Sequence, residues 1–445
     1  VANLGLKSIV LTGRSYPNWC IVRIDGGSVY FDDASEYLGL GVYETAERLK
    51  AHYGVKCAML IIWPGGERQS LAAGVQNLDK DGSPTRICAR GGLGALMGSK
   101  QVKAIIFQSD GEKRNTLSHP EKVAALRKVY NQALLNDSFV KTLTTFGTAS
   151  NTLVDNQVGA LPTRNFSSGT FEGAEQISGE TFYEQMKVRR GNPSHACMAG
   201  CVIRCSNSFP DEIGNTLVSP LDFETIAMLG SNLGIDDLDL IAQVNAELND
   251  IGLDTIEMGA ALGVAADGGV WKFGDKEKLR ELIGEIRAGT PLGLLLSNGA
   301  YQTGLALGVK RIPVVKRQAM AAYDPRVLKI TGITYATSAQ GADHTAGMTL
   351  RGGSKTQTPD DLLEYSRNLQ IENAALDSIG ACLFAGSGFK STPQFVPELM
   401  RAVFDAQVGA DFMASLGQQT LAWEWEYNQK VGFTHEDDRI PEWMQ

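Results

Sequence analysis

The sequence predicts an α+β protein in which a β-rich N-terminal domain (residues 1–114) precedes two mainly α-helical domains (115–313 and 314–445). Three observations lead to this. Short runs rich in Val and Ile, such as 20–24 and 104–107, lie between Gly and Pro turn residues in the N-terminal part. Further along the chain, apolar residues recur mostly at helical spacing. A chain of 445 residues also exceeds the size of one ordinary hydrophobic core.

The N-terminal domain is expected to contain one helix and five strands. A helix is expected at 43–53, because apolar positions recur there at helical spacing and Gly54 can end it. Strands are expected at 6–11, 20–24, 28–31, 58–63 and 104–107. The stretch 110–118 is the first domain boundary.

The helical part begins at Pro120, a residue that suits the first turn of a helix. Helices are expected at 120–136, 178–188, 221–229, 237–251, 276–287, 359–370, 396–415 and 417–429. The segment from Pro313 to Pro325 interrupts this series, so we place the second boundary there.

The charge balance restricts the class of partner. Asp and Glu number 50 against 41 Lys and Arg, which gives a net charge of −9. A negative protein is poorly suited to nucleic acid or to an anionic membrane, so neither partner is expected. The longest apolar runs are far shorter than a bilayer span, and no signal segment opens the sequence. We therefore expect a cytoplasmic protein whose cysteines stay reduced.

Three of the seven cysteines, Cys197, Cys201 and Cys205, fall within nine residues. Thiolates at i, i+4 and i+8 can converge on a compact inorganic centre, and Gly200 lets the backbone bend around it. A triplet with one remote cysteine is typical of a [4Fe-4S] cluster, whereas structural zinc usually takes two short ligand pairs. The cluster is favoured, with zinc and free structural thiols as alternatives.

The residues alone leave the fourth ligand open. Three candidates stand in or beside strand-like segments, where a lone cysteine is usually a small buried hydrophobe: Cys20, Cys57 and Cys88. Cys382 differs, because it closes the phrase 377–382 (Asp-Ser-Ile-Gly-Ala-Cys), which is similar to 249–254 (Asn-Asp-Ile-Gly-Leu-Asp). A helix that ends at the glycine of this phrase would present Cys382 on a turn.

A glycine-rich segment, 90–98 (Arg-Gly-Gly-Leu-Gly-Ala-Leu-Met-Gly), offers unobstructed backbone N–H groups. With Arg86 and Lys100 nearby, it suits a phosphate or another anion. It lacks the Lys-Ser/Thr ending of a P-loop and is not Gly-x-Gly-x-x-Gly, which argues against an NTPase or a dinucleotide fold. A plain glycine turn between two strands is the alternative.

Two further residues are candidates for proton chemistry. His344 lies in a segment of small residues, 341–347, that suits neither a core helix nor a strand, so it is expected to line a cavity. Glu224 lies between apolar residues of an expected helix, where a carboxylate is costly unless it is solvated or functional. A helix-capping or exposed role is the alternative for Glu224.

Several segments occur together in one order along the chain. They are 90–100, 102–105, 146–149, 161–166, 197–205, 229–235, 249–254, 323–326, 335–337, 377–382 and 437–441. This ordered set resembles the aldehyde ferredoxin oxidoreductases, a family of tungsten or molybdenum bis-pterin enzymes. The likeness covers essentially the whole chain.

The resemblance implies the following site. Cys197, Cys201, Cys205 and Cys382 hold the [4Fe-4S] cluster, and the N-terminal β domain seats a tungsten or molybdenum bis-pterin between itself and the helical domains. The pterin-binding residues are those that match the family motifs: Arg86, Arg90, Gly91, Gly92, Asn249, Asp254 and Asp377. Glu224 and His344 lie at the substrate and handle protons.

The implied reaction is the oxidation of a small aldehyde to a carboxylic acid, with electrons leaving through the cluster to ferredoxin or a similar acceptor. A homodimer is consistent with this. The alternatives are a low-potential reductase of another substrate on the same cofactor, an iron–sulfur electron-transfer subunit, and a cofactor-free fragment.

The chain also departs from the family pattern, which indicates a divergent member. The cysteine triplet has one extra residue in its first gap, and Asn249 and Ala381 replace the usual residues of the two related phrases. Val1 aligns with the interior of the family's β domain, so we expect the N-terminal part of the pterin seat to be absent. On that premise the chain alone should hold iron but little tungsten or molybdenum.

Overall fold

A computed structural model describes residues 4–109, 111, 116–350 and 357–444, apart from the side chain of Lys390. The predicted boundary at 114/115 lies outside the described residues, and the one at 313/314 stays a prediction. The α+β architecture is confirmed: a β-sheet domain comes first and mainly helical structure follows.

The N-terminal domain is a six-stranded sheet with the strand order β2-β1-β6-β3-β4-β5. Its strands are β1 (Cys20–Asp25), β2 (Ser28–Asp33), β3 (Ala58–Ile61), β4 (Val75–Asn77), β5 (Arg86–Cys88) and β6 (Val102–Gln108). The β1–β6 pair is parallel and the other pairs are antiparallel. Its helices are α1 (Val42–Tyr53), α2 (Pro64–Glu67) and α3 (Leu93–Ser99).

The expected strand at 6–11 does not form in the described sheet. Its apolar residues include Ile9 and Val10, which are 36% and 81% exposed, so they have no buried face to pack against. Strands β4 and β5 escape sequence prediction because each has only three residues and lacks an apolar alternation. The helix expected at 43–53 is confirmed as α1.

The helical part has fifteen α-helices among the described residues. They are α4 (Pro120–Asn136), α5 (Ser138–Phe146), α6 (Asn151–Val158), α7 (Gly179–Val188), α8 (Phe223–Leu229), α9 (Leu238–Ile251), α10 (Thr255–Asp267), α11 (Lys276–Ala288), α12 (Pro291–Ser297), α13 (Gly299–Leu307), α14 (Lys329–Thr337), α15 (Pro359–Ser378), α16 (Gly386–Ser391), α17 (Phe395–Phe404) and α18 (Phe412–Lys430). Short strands interrupt them: β7 (Asn192–His195), β8 (Ser206–Pro210), β9 (Thr216–Val218), β10 (Val314–Val315) and β11 (Gln318–Ala319).

Two differences from the sequence-based expectation have clear causes. The helix expected at 396–415 is two helices, because Asp405 adopts a left-handed backbone (φ 56°) that ends α17. Helix α10 was not expected, since ten of its thirteen residues are buried and it therefore lacks the one-sided apolar stripe of a surface helix. It lies at the centre of the helical core, against α8 and α13. None of the described helices is long and apolar enough to cross a bilayer.

Candidate functional site

The cysteine triplet lies in the loop between strands β7 and β8. Gly200, between the first two cysteines, has φ 82°, a backbone conformation that residues with a side chain rarely adopt. Cys382 follows helix α15, which ends in a turn where Gly380 has φ 69°. Cys197, Cys201, Cys205 and Cys382 all line one cavity of about 820 Å³. The structure thus brings the four predicted ligands together across 177 residues of sequence, since 382 − 205 = 177.

The surroundings of Cys201 favour its thiolate form. A hydrogen bond from Cys197 lowers the pKa of Cys201 to about 5, and the backbone N–H of Arg204, 3.5 Å from Cys201 Sγ, acts in the same direction. Burial raises the pKa of Cys205 to about 12. Iron would have to displace the Cys205 proton, as metal binding to thiols ordinarily does.

The remaining cysteines lie elsewhere. Cys20 and Cys57 are buried in the core of the sheet domain, and burial raises the pKa of both thiols. Cys88 is on the outermost strand β5. None of these three lines the cavity of the triplet.

His195, two residues before the triplet, is buried rather than at the surface. It is 8% exposed, and its ring lies between Asp81 and Arg86. Nε2 lies 2.8 Å from Asp81 Oδ2, and Nδ1 lies 3.4 Å from an Arg86 nitrogen. The same Arg86 nitrogen donates to Ser206 Oγ at 2.9 Å, so the guanidinium is held beside the strand that follows Cys205.

Arg90, two residues after strand β5, has a side chain that is only 9% exposed. Its guanidinium lies 3.6 Å from Asp254 and 3.7 Å from Asp343, and it donates to the carbonyl oxygens of Ala342, at 2.8 Å, and Ala319. Sequence reasoning found Arg90 and Asp254 but missed Asp343. The sequence did offer one indication of Asp343, namely that it directly precedes His344.

Replacing Arg90 with methionine is expected to destabilise the protein by about 3–5 kcal/mol, because it leaves buried carboxylates without a cation. The thermal unfolding midpoint measures this. The matched control is Arg280→Met, which removes an exposed ion pair to Glu277 (2.7 Å) and should cost at most about 1 kcal/mol. Equal midpoints for the two variants would show that the Arg90 pairs contribute nothing.

The glycines after Arg90 divide into two groups. Gly91 and Gly92 have left-handed backbones (φ 87° and 69°), and the position beside Gly91 is open. Gly94 and Gly98 instead let α3 pack closely on α2 and β4, since a Cβ at Gly98 would overlap the Gly66 carbonyl oxygen. The first pair fits the expected anion loop, whereas the second pair serves packing.

The two related phrases both form the end of a helix. In the first, Gly252 ends α9 with φ 84°, and the ring of Trp63 occupies the space that a side chain would need. Asp254 then caps α10 by accepting the N–H groups of Ile256 and Glu257 at 3.3 and 3.0 Å. Asn249 donates to Asn245 Oδ1 at 3.1 Å. Among the described residues, no hydrogen bond or ion pair joins its side chain to Arg90, Asp254 or Asp343, which together form the Arg90 cluster.

Asp377, in the second phrase, faces a different cavity of about 420 Å³. Asp343, Gln370 and Glu424 also line this cavity. Burial raises the pKa of the Asp377 carboxyl, and the negative charge of Asp343 adds to the effect. Asp343 therefore connects the cavity of Asp377 to the buried cluster of Arg90 and Asp254.

Glu224 and His344 are neighbours, as expected. His344 Nε2 lies 3.4 Å from Glu224 Oε1, and His344 Nδ1 lies 3.6 Å from Asp343 Oδ1. The other oxygen of Glu224 accepts the N–H of Ala322 at 2.8 Å. The ring of Tyr323 stands 5.8 Å from that of His344. Sequence reasoning did not select Tyr323 or Tyr335, because buried tyrosines are ordinary core residues.

Several buried polar atoms here make no hydrogen bond within the described part of the chain. They are Arg86 Nε, Arg90 Nε, Glu224 Oε1, His344 Nδ1 and Tyr335 Oη. Three of these atoms have only a longer ion-pair contact, at 3.4–3.6 Å: Arg90 Nε, Glu224 Oε1 and His344 Nδ1. Buried polar atoms are normally paired, so such a set indicates a ligand with both anionic and polar groups. Two arginine donors beside an open glycine turn fit the phosphates of a pterin cofactor, and Asp254 and Asp377 could accept its N–H groups.

Family models cover nearly all of the chain. The model "Aldehyde ferredoxin oxidoreductase, domains 2 & 3" matches residues 125–445, and the model of the N-terminal domain of the same family matches residues 1–109. The expectation that the N-terminal part of the family pattern is absent is therefore wrong. The expectation that this chain alone holds little tungsten or molybdenum rested on that absence, so it no longer has a basis.

Individual proteins agree with this. The chain is 30% identical to the tungsten-containing aldehyde ferredoxin oxidoreductase of Thermococcus kodakarensis, over 98% of this chain and 74% of that protein. It is 26% identical to the WOR-like subunit of an aliphatic sulfonate oxidoreductase from Pyrococcus furiosus, over 77% of this chain and 58% of that one. The active-site complex BamBC of benzoyl coenzyme A reductase shares the fold, with a TM-score of 0.77 at 16% identity over 97% of this chain and 74% of that chain.

Proposed function

Because this chain belongs to the aldehyde ferredoxin oxidoreductase family and is an oxidoreductase of that family, we propose that it oxidises an aldehyde to the carboxylic acid. Water supplies the added oxygen, and each turnover releases two protons and two electrons. The cofactor implied by the tungsten-containing relatives is a tungsten bis-pterin. The electrons would leave through a [4Fe-4S] cluster to ferredoxin or a similar one-electron acceptor.

One observation carries the proposal: a buried carboxylate–imidazole pair, Glu224 and His344, has unpaired atoms next to the Arg90 cluster. Aldehyde oxidation with water needs groups that accept protons, and a carboxylate beside an imidazole is suited to this near neutral pH. Arg86 lies between this site and the cysteines. The hydrogen bond with Cys201 raises the pKa of Cys197 and burial raises the pKa of Asp222, two residues before Glu224, and the charge of Arg86 opposes both shifts.

The cofactor would be held by residues around Arg90 and by Asp377, which lines the neighbouring cavity. Arg86, Arg90 and the backbone of Gly91 and Gly92 would bind its phosphates, while Asp254 and Asp377 would accept its N–H groups. When bound, the group supplies the redox chemistry at the metal. The predicted role of Asn249 at the cofactor stays a prediction; its side-chain amide donates to Asn245 Oδ1 at 3.1 Å.

The chain's own part in the reaction is proton transfer. Glu224 Oε1, which has no hydrogen bond among the described residues and belongs to a side chain that is 14% exposed, accepts a proton, and His344 Nε2 at 3.4 Å passes it on. The Ala322 N–H fixes the second Glu224 oxygen, so the free oxygen keeps one orientation. Asp343, 3.6 Å from His344 Nδ1, orients the ring and stabilises the imidazolium.

The experiment is an anaerobic assay of purified, metal-loaded protein with short aliphatic and aromatic aldehydes. We expect aldehyde-dependent reduction of ferredoxin or of a viologen dye, with one carboxylate formed per two electrons. Reduction without carboxylate formation would indicate another substrate class. A metal-loaded protein that reduces neither acceptor with any aldehyde would contradict the proposal.

A further inference from the structure

A third carboxyl group lies close to the proton-handling pair and has no role in the mechanism so far. Asp155, on helix α6, is fully buried (0% exposed). Among the described residues, neither of its carboxyl oxygens has a hydrogen-bond partner. The hydroxyl of Thr152, one turn earlier, is equally buried and unpaired. An unpaired buried carboxyl is rare in folded proteins, so a structural role alone does not explain it.

The orientation of α6 places Asp155 towards the active site. Asn151, four residues earlier and thus on the same helix face, points its amide at Tyr323 Oη, 3.5 Å away. Tyr323 packs against Phe223, with ring centroids 5.4 Å apart, and against His344. Phe223 precedes Glu224 at the start of α8. The face of α6 that carries Asp155 therefore backs onto Glu224 and His344.

Two physical effects keep the carboxyl group of Asp155 protonated at neutral pH. An ionised carboxylate without a partner is very costly in a buried site, so such a group keeps its proton. The Glu224 carboxylate is a further obstacle to ionisation, since two like charges in one site disfavour each other. Burial first, and then the Glu224 charge, raise the pKa of Asp155 to about 8.

The other ionisable groups around Asp155 do not supply a cation. Tyr323 and Tyr335 are fully buried phenols whose pKa values burial raises well above the ordinary value, so they are neutral. Asp222, two residues before Glu224, is negative if charged. The charged residues of the adjoining α7 are all exposed: Glu180, Glu184 and Lys187. His344 is paired with Glu224.

We propose that Asp155 is a positioning residue that stays a neutral carboxylic acid at neutral pH and leaves Glu224 as the charged, proton-accepting member of a carboxyl pair. The inference rests on the proposed function for its catalytic consequence. Ionisation of Asp155 in alkaline solution would place a second negative charge beside Glu224. A proton accepted by Glu224 would then be held more tightly, and its release before the next turnover would slow.

The first test uses infrared spectroscopy and needs no activity. A carbonyl band of a protonated carboxylic acid should be present in the wild-type protein at pH 7, lose intensity with a midpoint near pH 8, and be absent from the difference spectrum of Asp155→Asn. The matched control is Asp324→Asn, because Asp324 is equally buried but paired with Arg326. A wild-type protein whose acid bands do not titrate between pH 6 and 10 overturns the proposal, whether or not the variant folds.

The second test is the pH profile of kcat. Wild type should lose activity with an inflection near pH 8, and Asp155→Asn, which cannot ionise, should lack that inflection. An unchanged inflection in the variant contradicts the positioning role. If the infrared result holds while no aldehyde is oxidised, the proposed function fails and the neutral carboxyl stands.

The pH dependence of folding stability is a third test of whether Asp155 carries a proton. Between about pH 4 and pH 8 the folded wild type binds a proton that the unfolded chain has lost, so its stability falls as pH rises. Asp155→Asn lacks this slope. The ratio of the unfolding constants, wild type over variant, should therefore rise with pH by up to about tenfold per pH unit.

Discussion

Replacing Cys382 with alanine is expected to remove most of the iron from the purified protein and its iron–sulfur absorption. Cys382 shares the cavity of Cys197, Cys201 and Cys205, and a cubane cluster that loses one of its four thiolates is left with an open, reactive iron. Iron and acid-labile sulfide per chain, measured on anaerobically purified protein, give the result.

The matched control is Cys88→Ala. Cys88 is outside the cavity, on the edge strand β5, so iron content should stay at the wild-type level. If the two variants hold equal iron, Cys382 is not the fourth ligand. Loss of iron in Cys88→Ala alone would transfer that role to Cys88.

Replacing Glu224 with glutamine is expected to lower kcat by about 10²- to 10⁴-fold, because the amide cannot accept the proton released during aldehyde oxidation. The amide keeps the size of the side chain and one oxygen for the Ala322 N–H, so the fold and the metal content should be retained. Steady-state kinetics with the best aldehyde of the assay, alongside metal analysis of the same samples, measures both.

Glu247→Gln is the matched control, since Glu247 is an exposed carboxylate that is paired with Arg287 and lines neither cavity of the site. Its kcat should equal that of the wild type. A Glu224→Gln enzyme that keeps full activity with normal metal content would assign Glu224 a structural role. His344→Ala should show a loss of the same order, because the two groups form one proton path.

Local sequence patterns predict some parts of this site and not others, for physical reasons. The cysteine triplet is visible because its three cysteines lie within nine residues. Cys382 can be suspected because a glycine that ends a helix leaves a trace in the sequence. The pairing of Glu224 with His344 depends on how two helical segments pack, and no local pattern encodes that.

The residues that sequence reasoning missed look ordinary in isolation. Asp343 and Asp155 are single acids among small or helical residues, and only burial reveals that each faces the site. Asn249 matched a motif, and its amide donates to its neighbour Asn245, so its role at the cofactor stays a prediction. The fold was predicted better where elements are amphipathic, as in α9, than where they are buried throughout, as in α10.

Metal analysis of the intact, anaerobically purified chain tests the central claim most directly, because the account requires both a pterin-bound metal and a cluster on the same chain. We predict about one tungsten and about four iron atoms per chain, with an electron paramagnetic resonance signal of a reduced [4Fe-4S] cluster after dithionite treatment. Stoichiometric zinc in the cysteine site, with neither tungsten nor iron present, would contradict the account.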